Sequence, residues 1–129
     1  MSQQESGRSI QEENIQWNAW SDHIRGEFPG VQWGSIFSER EAPGMGLFEI
    51  EPGAELPMHH HDPIEIYFVV SGDGKVEINQ EPHPLRAGAT VYIPSNASHV
   101  TLNTGDAPLR ILYVFPNASF REIEYKFDE

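Results

Sequence analysis

Between Gly53 and Gly72 the chain reads Gly-Ala-Glu-Leu-Pro-Met-His59-His60-His61-Asp-Pro-Ile-Glu65-Ile-Tyr67-Phe-Val-Val-Ser-Gly, which places three histidines and Glu65 within seven residues. His59 and His61 are two apart, so on an extended strand both point the same way, and His60 points the other. Asp62-Pro63 predicts a turn, after which Glu65 and Tyr67 share one face of a second strand, Ile64 to Val70. Two imidazoles and a carboxylate brought together by a tight turn can hold a divalent transition metal on one side and leave positions open. A fourth ligand must come from His23, His60, His83 or His99. His23 belongs to a polar stretch, His60 faces away, and His83 lies in an exposed-looking Glu-Pro-His-Pro segment. His99 opens a new strand after Pro94-Ser-Asn96-Ala-Ser, a distance in sequence that a closed barrel bridges, and it completes the set.

Tyr67 is the informative neighbour. Strand parity from Glu65 puts it on the inward face with the metal ligands. A phenol beside a divalent cation has its pKa lowered and can serve as a general base, whereas an ordinary barrel tyrosine finds a backbone partner and does nothing more. An inward base beside a Lewis acid suits removal of a proton α to a metal-bound carboxylate.

The remaining sequence must build the frame for these groups. A chain of 129 residues predicts one domain with a real core. There is no cysteine, so disulfides and thiol chemistry are excluded. No apolar run approaches the ~18 residues of a membrane span and no secretory signal opens the chain, so a cytoplasmic location is expected. The net charge of −12 argues against nucleic acid and anionic membranes as partners and is compatible with a cationic ligand, although an acidic surface more often just keeps a protein soluble; the expected partner is a small-molecule carboxylate substrate.

Residues 1–8 are polar, and Ser9 with Glu12 reads as a capping box ahead of Ile10, Trp17, Trp20 and Ile24. That spacing predicts a short amphipathic helix ending near Gly26, so residues 1–27 are expected to form a tail and helix and residues 28–129 a barrel. Its two tryptophans suggest a homodimer that uses N-terminal surface. Phe28-Pro29-Gly30 predicts a turn. Strands are then expected at Val31–Ser38, Met45–Glu51, Ile64–Val70, Lys75–Asn79, Thr90–Ile93, His99–Asn103, Leu109–Phe115 and Phe120–Phe127. Ser71-Gly72-Asp73-Gly74 reads as a hairpin, and the apolar run Leu109–Phe115 as a strand buried on both faces. About ten short strands joined by Gly/Pro turns, without repeats, predict an all-β double-sheet jelly roll.

The motif spacing resembles the cupin superfamily. Gly53, five residues, His59-x-His61, three residues, Glu65, six residues, Gly72 is similar to its first motif. Gly88, five residues, Pro94-x-Asn96, two residues, His99, three residues, Asn103 is similar to its second, with Asn96 where the family usually has Gly. The order His59-x-His61, Glu65-x-Tyr67, His99, with Tyr125 in a C-terminal Phe-Arg-Glu-Ile-Glu-Tyr segment and Phe28-Pro29-Gly30-Val31-Gln32-Trp33 upstream, resembles the small cupin lyases that cleave dimethylsulfoniopropionate. The resemblance implies a double-stranded β-helix barrel in which His59, His61, Glu65 and His99 bind one metal ion (Fe, Mn, Ni, Zn or Cu). It implies Tyr67 as the base and Tyr125 as a second tyrosine of the site. Trp33 and Tyr125 can face a sulfonium through cation–π contact. The alternative is a metal-binding cupin of another activity, such as a sugar isomerase, an epimerase or a dioxygenase, or a non-catalytic binder of a small ligand. A sugar site needs several polar partners, whereas a sulfonium site needs an aromatic lining.

Overall fold

The computed structural model describes residues 7–22, 25–37, 43–117 and 124–127. Among the described residues, eleven strands form two antiparallel sheets packed face to face. They are β1 (Asn18–Asp22), β2 (Gly26–Phe37), β3 (Gly44–Ile50), β4 (Glu55–His60), β5 (Glu65–Ser71), β6 (Asp73–Ile78), β7 (Glu81–Arg86), β8 (Thr90–Ile93), β9 (His99–Asn103), β10 (Leu109–Phe115) and β11 (Lys126–Phe127). One sheet has the order β1-β2-β3-β10-β5-β8 and the other β11-β4-β9-β6-β7. The all-β jelly roll expected from the strand spacing is the fold observed.

Period-two alternation fills the space between the sheets. Phe48 and Ile50 of β3, Tyr67 and Val69 of β5, and Ile111, Tyr113 and Phe115 of β10 face inward and are buried. On β4 the ladder slips between Leu56 and His59, so both residues point inward although they are three apart. This irregularity resets the parity and turns His59 and His61 toward the core.

The N-terminal helix is not formed. Among the described residues this region holds only a 3-10 turn at Glu12–Asn14, followed by β1. The helical spacing of Ile10, Trp17 and Trp20 arises by coincidence. Ile15 instead seats itself where a side chain on Gly34 would stand, and Trp20 is drawn into the barrel as the inward residue of β1. His23 and Ile24 lie outside the described residues. Phe28-Pro29-Gly30 is no turn between elements but a kink inside β2. The β1–β2 register jumps there, Gly30 takes φ +80°, and its carbonyl accepts a hydrogen bond from the Glu51 N–H at 2.8 Å.

Two further expectations change. Gly72 does not turn a hairpin, because β5 and β6 belong to different sheets. It is a corner at φ +92°, where a Cβ would come within 2.5 Å of the Pro108 carbonyl, so only glycine fits. The true hairpin follows β6 and turns on Asn79 and Gln80, at φ 49° and 71°, leading into β7, a strand the sequence hid behind Pro82 and Pro84. β10 is central in its sheet, but only one face is fully buried, and Leu112 and Val114 remain half-exposed on the other. Of the expected C-terminal strand, 120–123 lie outside the described residues, and Lys126–Phe127 pairs with β4.

Asn103 ties the frame together at the end of β9. Its amide donates to the carbonyls of Ile50 and Ala107, each at 2.8 Å, and its carbonyl accepts from the Gly105 N–H. Asn103→Ala leaves buried carbonyls without a partner and should destabilise the fold by about 1–3 kcal/mol. Denaturant unfolding checks this, and metal content should be unchanged.

Candidate metal centre

His59, His61 and His99 meet at the centre of the barrel, each about 1% exposed or less, with one nitrogen from each ring within 4.8 Å of the others. They come from β4, from the turn that follows it and from the start of β9, so the strand pairing His59↔His99 brings the two sequence motifs together. Asn96, at φ 60°, supplies the left-handed turn before β9, and its N–H bonds the His61 carbonyl at 2.8 Å. The tolerance of Asn for this conformation, expected from its residue type, is what the chain uses.

Every imidazole is oriented by its own backbone. Nδ1 of His59 lies 2.7 Å from the Pro57 carbonyl, that of His61 2.9 Å from Pro63, and that of His99 2.9 Å from Ala97. A carbonyl accepts only, so each Nδ1 must carry the proton and donate it, which leaves Nε2 as the atom aimed into the cluster. Glu65, the first residue of β5, places Oε1 3.2 Å from His61 Nε2 and 3.6 Å from His99 Nε2.

The electrostatics are those of a site built around positive charge. Burial, with the His99 ring beside it, pulls the His59 imidazolium down to about 3. Burial also pulls on His61, but its hydrogen bond and attraction to Glu65 outweigh that and the net shift is upward. For Glu65 burial pushes up, and the contacts with His61 and His99 hold it below the ordinary carboxylate range. A proton on His61 facing Glu65 is thus the smallest cation the cluster can hold. Nε2 of His99 is buried with no hydrogen-bond partner. A divalent metal fits this donor set: it satisfies the orphaned nitrogen and needs no change of tautomer. The donors suit several first-row ions.

Tyr67 is fully buried beside the cluster, its ring 6.4 Å from that of His99 and its hydroxyl 3.2 Å from Thr101 Oγ1. Burial and then the Glu65 charge push its hydroxyl well above the ordinary range, against a smaller lowering by Thr101. Tyr125 packs over His59 and His61 at ring distances of 5.3 Å each. Trp20 stands edge-on to Tyr125 at 5.4 Å. Tyr125 and Trp20, with Trp33, Phe48, Leu56, Glu65, His59 and Tyr113, line a narrow cavity of about 10 Å³, room for about one water. Five of its eight lining residues are aromatic and none is Lys or Arg. Trp33 and Tyr125 both line this cavity. His83 lies apart from it on edge strand β7, across from Val76 and within 4.0 Å of Glu81. Trp20, Thr101 and Tyr113 are neighbours that the sequence reading missed. Strand parity would have flagged Thr101 from His99, whereas nothing local marks Trp20 or Tyr113.

The Cupin domain model matches residues 46–115. Dimethylsulfoniopropionate lyase DddW of Ruegeria pomeroyi is 38% identical over 123 residues, which covers 92% of this chain and 78% of that protein. Among solved structures, the polyketide cyclase RemF of Streptomyces resistomycificus superposes with a TM-score of 0.79 at 12% identity, covering 96% of this chain and 87% of that one. A chain from a crystallographic study of the dimethylsulfoniopropionate lyases RdDddP and RnDddQII superposes with a TM-score of 0.72 at 22% identity, covering 89% and 63% respectively. At these identities the two structures speak for the shared fold. With both motifs folded around one three-histidine centre and the domain model matching more than half of the chain, the chain belongs to the cupin family.

Proposed function

We propose that this protein is a metal-dependent lyase that cleaves dimethylsulfoniopropionate into dimethyl sulfide and acrylate. The observation that carries the reading is the buried Tyr67 hydroxyl beside a three-imidazole centre, its ring packed on Phe48 of a cavity walled by aromatic rings and free of Lys and Arg. The 38% identity to a dimethylsulfoniopropionate lyase supports the same substrate. An anionic carboxylate at one end of a ligand calls for a cation, and a sulfonium at the other calls for π-faces in the wall.

In this reading His59, His61, His99 and Glu65 hold the ion. When bound, it supplies positive charge for the substrate carboxylate and for the negative charge that grows as the α-proton leaves. Tyr67 takes that proton. The electron pair of the broken C–H bond becomes the new carbon–carbon double bond, and the C–S bond breaks with its pair leaving on sulfur. Dimethyl sulfide, acrylate and one proton on the tyrosine account for all atoms and charges. The protein's own groups keep the Tyr67 phenol protonated, so a neighbouring cation is the influence that would oppose burial and Glu65. Thr101 holds the hydroxyl in place meanwhile. Trp33 and Tyr125 flank the sulfonium, and the rings exclude water from the reacting carbons.

Two experiments test this. His59→Ala and His99→Ala should each reduce bound metal to substoichiometric levels, while His83→Ala leaves it intact. Equal metal content in all three by elemental analysis would remove the ligand assignment. Tyr67→Phe deletes one oxygen and keeps the ring, so it should bind metal normally yet release dimethyl sulfide at least about a hundredfold more slowly, the ordinary cost of losing a general base. Because a phenol base works only after losing its own proton, the wild-type rate should climb toward alkaline pH. No acrylate from wild type loaded with Fe, Mn, Ni or Zn in turn would return the protein to the alternative, a cupin of another activity or a non-catalytic binder. An active wild type with an equally active Tyr67→Phe would shift the base to Tyr125.

A homodimer belongs to the same reading, but on different surface from the one expected. Trp20 is 5% exposed and locked inside the barrel. Phe68, Val70 and Tyr92, on the outer face of β5 and β8, are 42%, 44% and 58% exposed, and Ile66 beside them is half-buried. In a chain of net charge −12, an uncharged face is where a second copy meets least repulsion. Phe68→Glu with Tyr92→Glu should turn a dimer at micromolar concentration into a monomer by light scattering. A wild type that is already monomeric would count against it. The cytoplasm suits a chain without cysteine.

A further inference from the structure

Tyr113 lies on β10 directly between Tyr67 of β5 and Gly46 of β3, its register partners on either side. It is 2% exposed and lines the cavity together with His59, Glu65 and Tyr125. Its ring does not stand up into the barrel. A Cβ built on Gly46 would run into the Tyr113 hydroxyl and lie 2.6 Å from the carbon that bears it, so the far end of the ring rests over the glycine. Beyond it lies Ser35 of β2, which pairs with Gly46 and whose hydroxyl pulls slightly against the effect of burial on the phenol. The absence of one side chain thus lets a tyrosine lie down across three strands, and the space above the ring is what remains of the cavity.

We propose that Tyr113, laid over Gly46, is the specificity-determining wall of the site and fixes how bulky a cationic head group the cavity admits. The proposal rests on the reading of the ligand as a small cationic carboxylate. Burial keeps the phenol neutral, so the ring acts as a wall rather than as a second base. A smaller residue at 113 opens space between β10 and β3 that is continuous with the cavity, whereas a side chain at 46 would lift the ring and fill it.

The test uses metal-loaded full-length protein and two probes, 3-(trimethylammonio)propionate and its triethyl counterpart, with affinity read by calorimetry. Wild type should bind the trimethyl probe at least about tenfold more tightly. Tyr113→Leu should shift the ratio of the two affinities toward the bulkier probe by about tenfold or more, and Tyr113→Phe, which keeps the ring, by less than about threefold. The triethyl head group is larger by three methylenes, and a single methylene in a pocket is already worth about tenfold or more in discrimination. Metal content and melting temperature are measured alongside, and Gly46→Ala, which also meets the Gly34 carbonyl, is informative only if it folds. An unchanged ratio in a folded, metal-loaded Tyr113→Leu overturns the proposal, as does a wild type that binds neither probe. Failure of the lyase reading looks different: size discrimination intact, and no dimethyl sulfide from dimethylsulfoniopropionate.

Discussion

Three hydrogen bonds from imidazole Nδ1 to backbone carbonyls underlie the rest of this structure. Each histidine donates to a carbonyl two residues away in its own chain segment, at Pro57, Pro63 or Ala97. The tautomer is therefore written into local backbone geometry, and no distant group has to arrive to set it. Proline helps, since Pro57 and Pro63 have fixed φ values and hold the accepting carbonyls in one orientation. With Nδ1 occupied, three lone pairs converge, and the surrounding shell follows from that convergence. Glu65 is held ionised, the aromatic rings cover the site, and sheet closure between β4 and β9 brings the third nitrogen in.

The cost of assembling such a centre is visible in what surrounds it. A buried nitrogen without a partner, at His99, is expensive in a dry interior and is tolerated because a cation suits the same place. The ring pile of Trp20, Tyr125, Phe28 and Phe127 excludes water above the histidines. Below them, Tyr67, Phe48 and Tyr113 form the floor. The cavity left between roof and floor is small. A ligand larger than water must therefore part some of these rings, and Tyr125, carried on a segment held by two residues of β11, has the fewest ladder partners among them.

How much of this was legible in the sequence depended on the range of the interaction concerned. Parity arguments act over two residues and held: His59 with His61 and Glu65 with Tyr67 share the inward face, while His60 does not. β8, β9 and β10 have the bounds their apolar patterns predict, and Asn96 adopts the turn its residue type allows. The N-terminal region misled because Trp17 and Trp20 satisfy a helical period while the deciding contacts, Ile15 on Gly34 and Trp20 on His59, are long-range. Gly72-Asp-Gly reads as a hairpin locally, and only the pairing of β5 with β10 makes it a corner between sheets. Tyr113 was invisible for a related reason. In an apolar strand it looks like any core aromatic, and its place in the site depends on a glycine 67 residues earlier.

The hidden strand β7 carries one more consequence. Pro82 and Pro84 sit two apart, opposite Glu77 and Lys75, so both fall at the same kind of ladder position. β6 is satisfied on that side, and the missing N–H groups all lie along the outer rim of the sheet. A free strand from another molecule arriving at that rim finds acceptors without the donors needed for a continuous ladder. The two prolines thus act as a guard against edge-to-edge polymerisation at this border, a hazard for any sheet protein with an open edge.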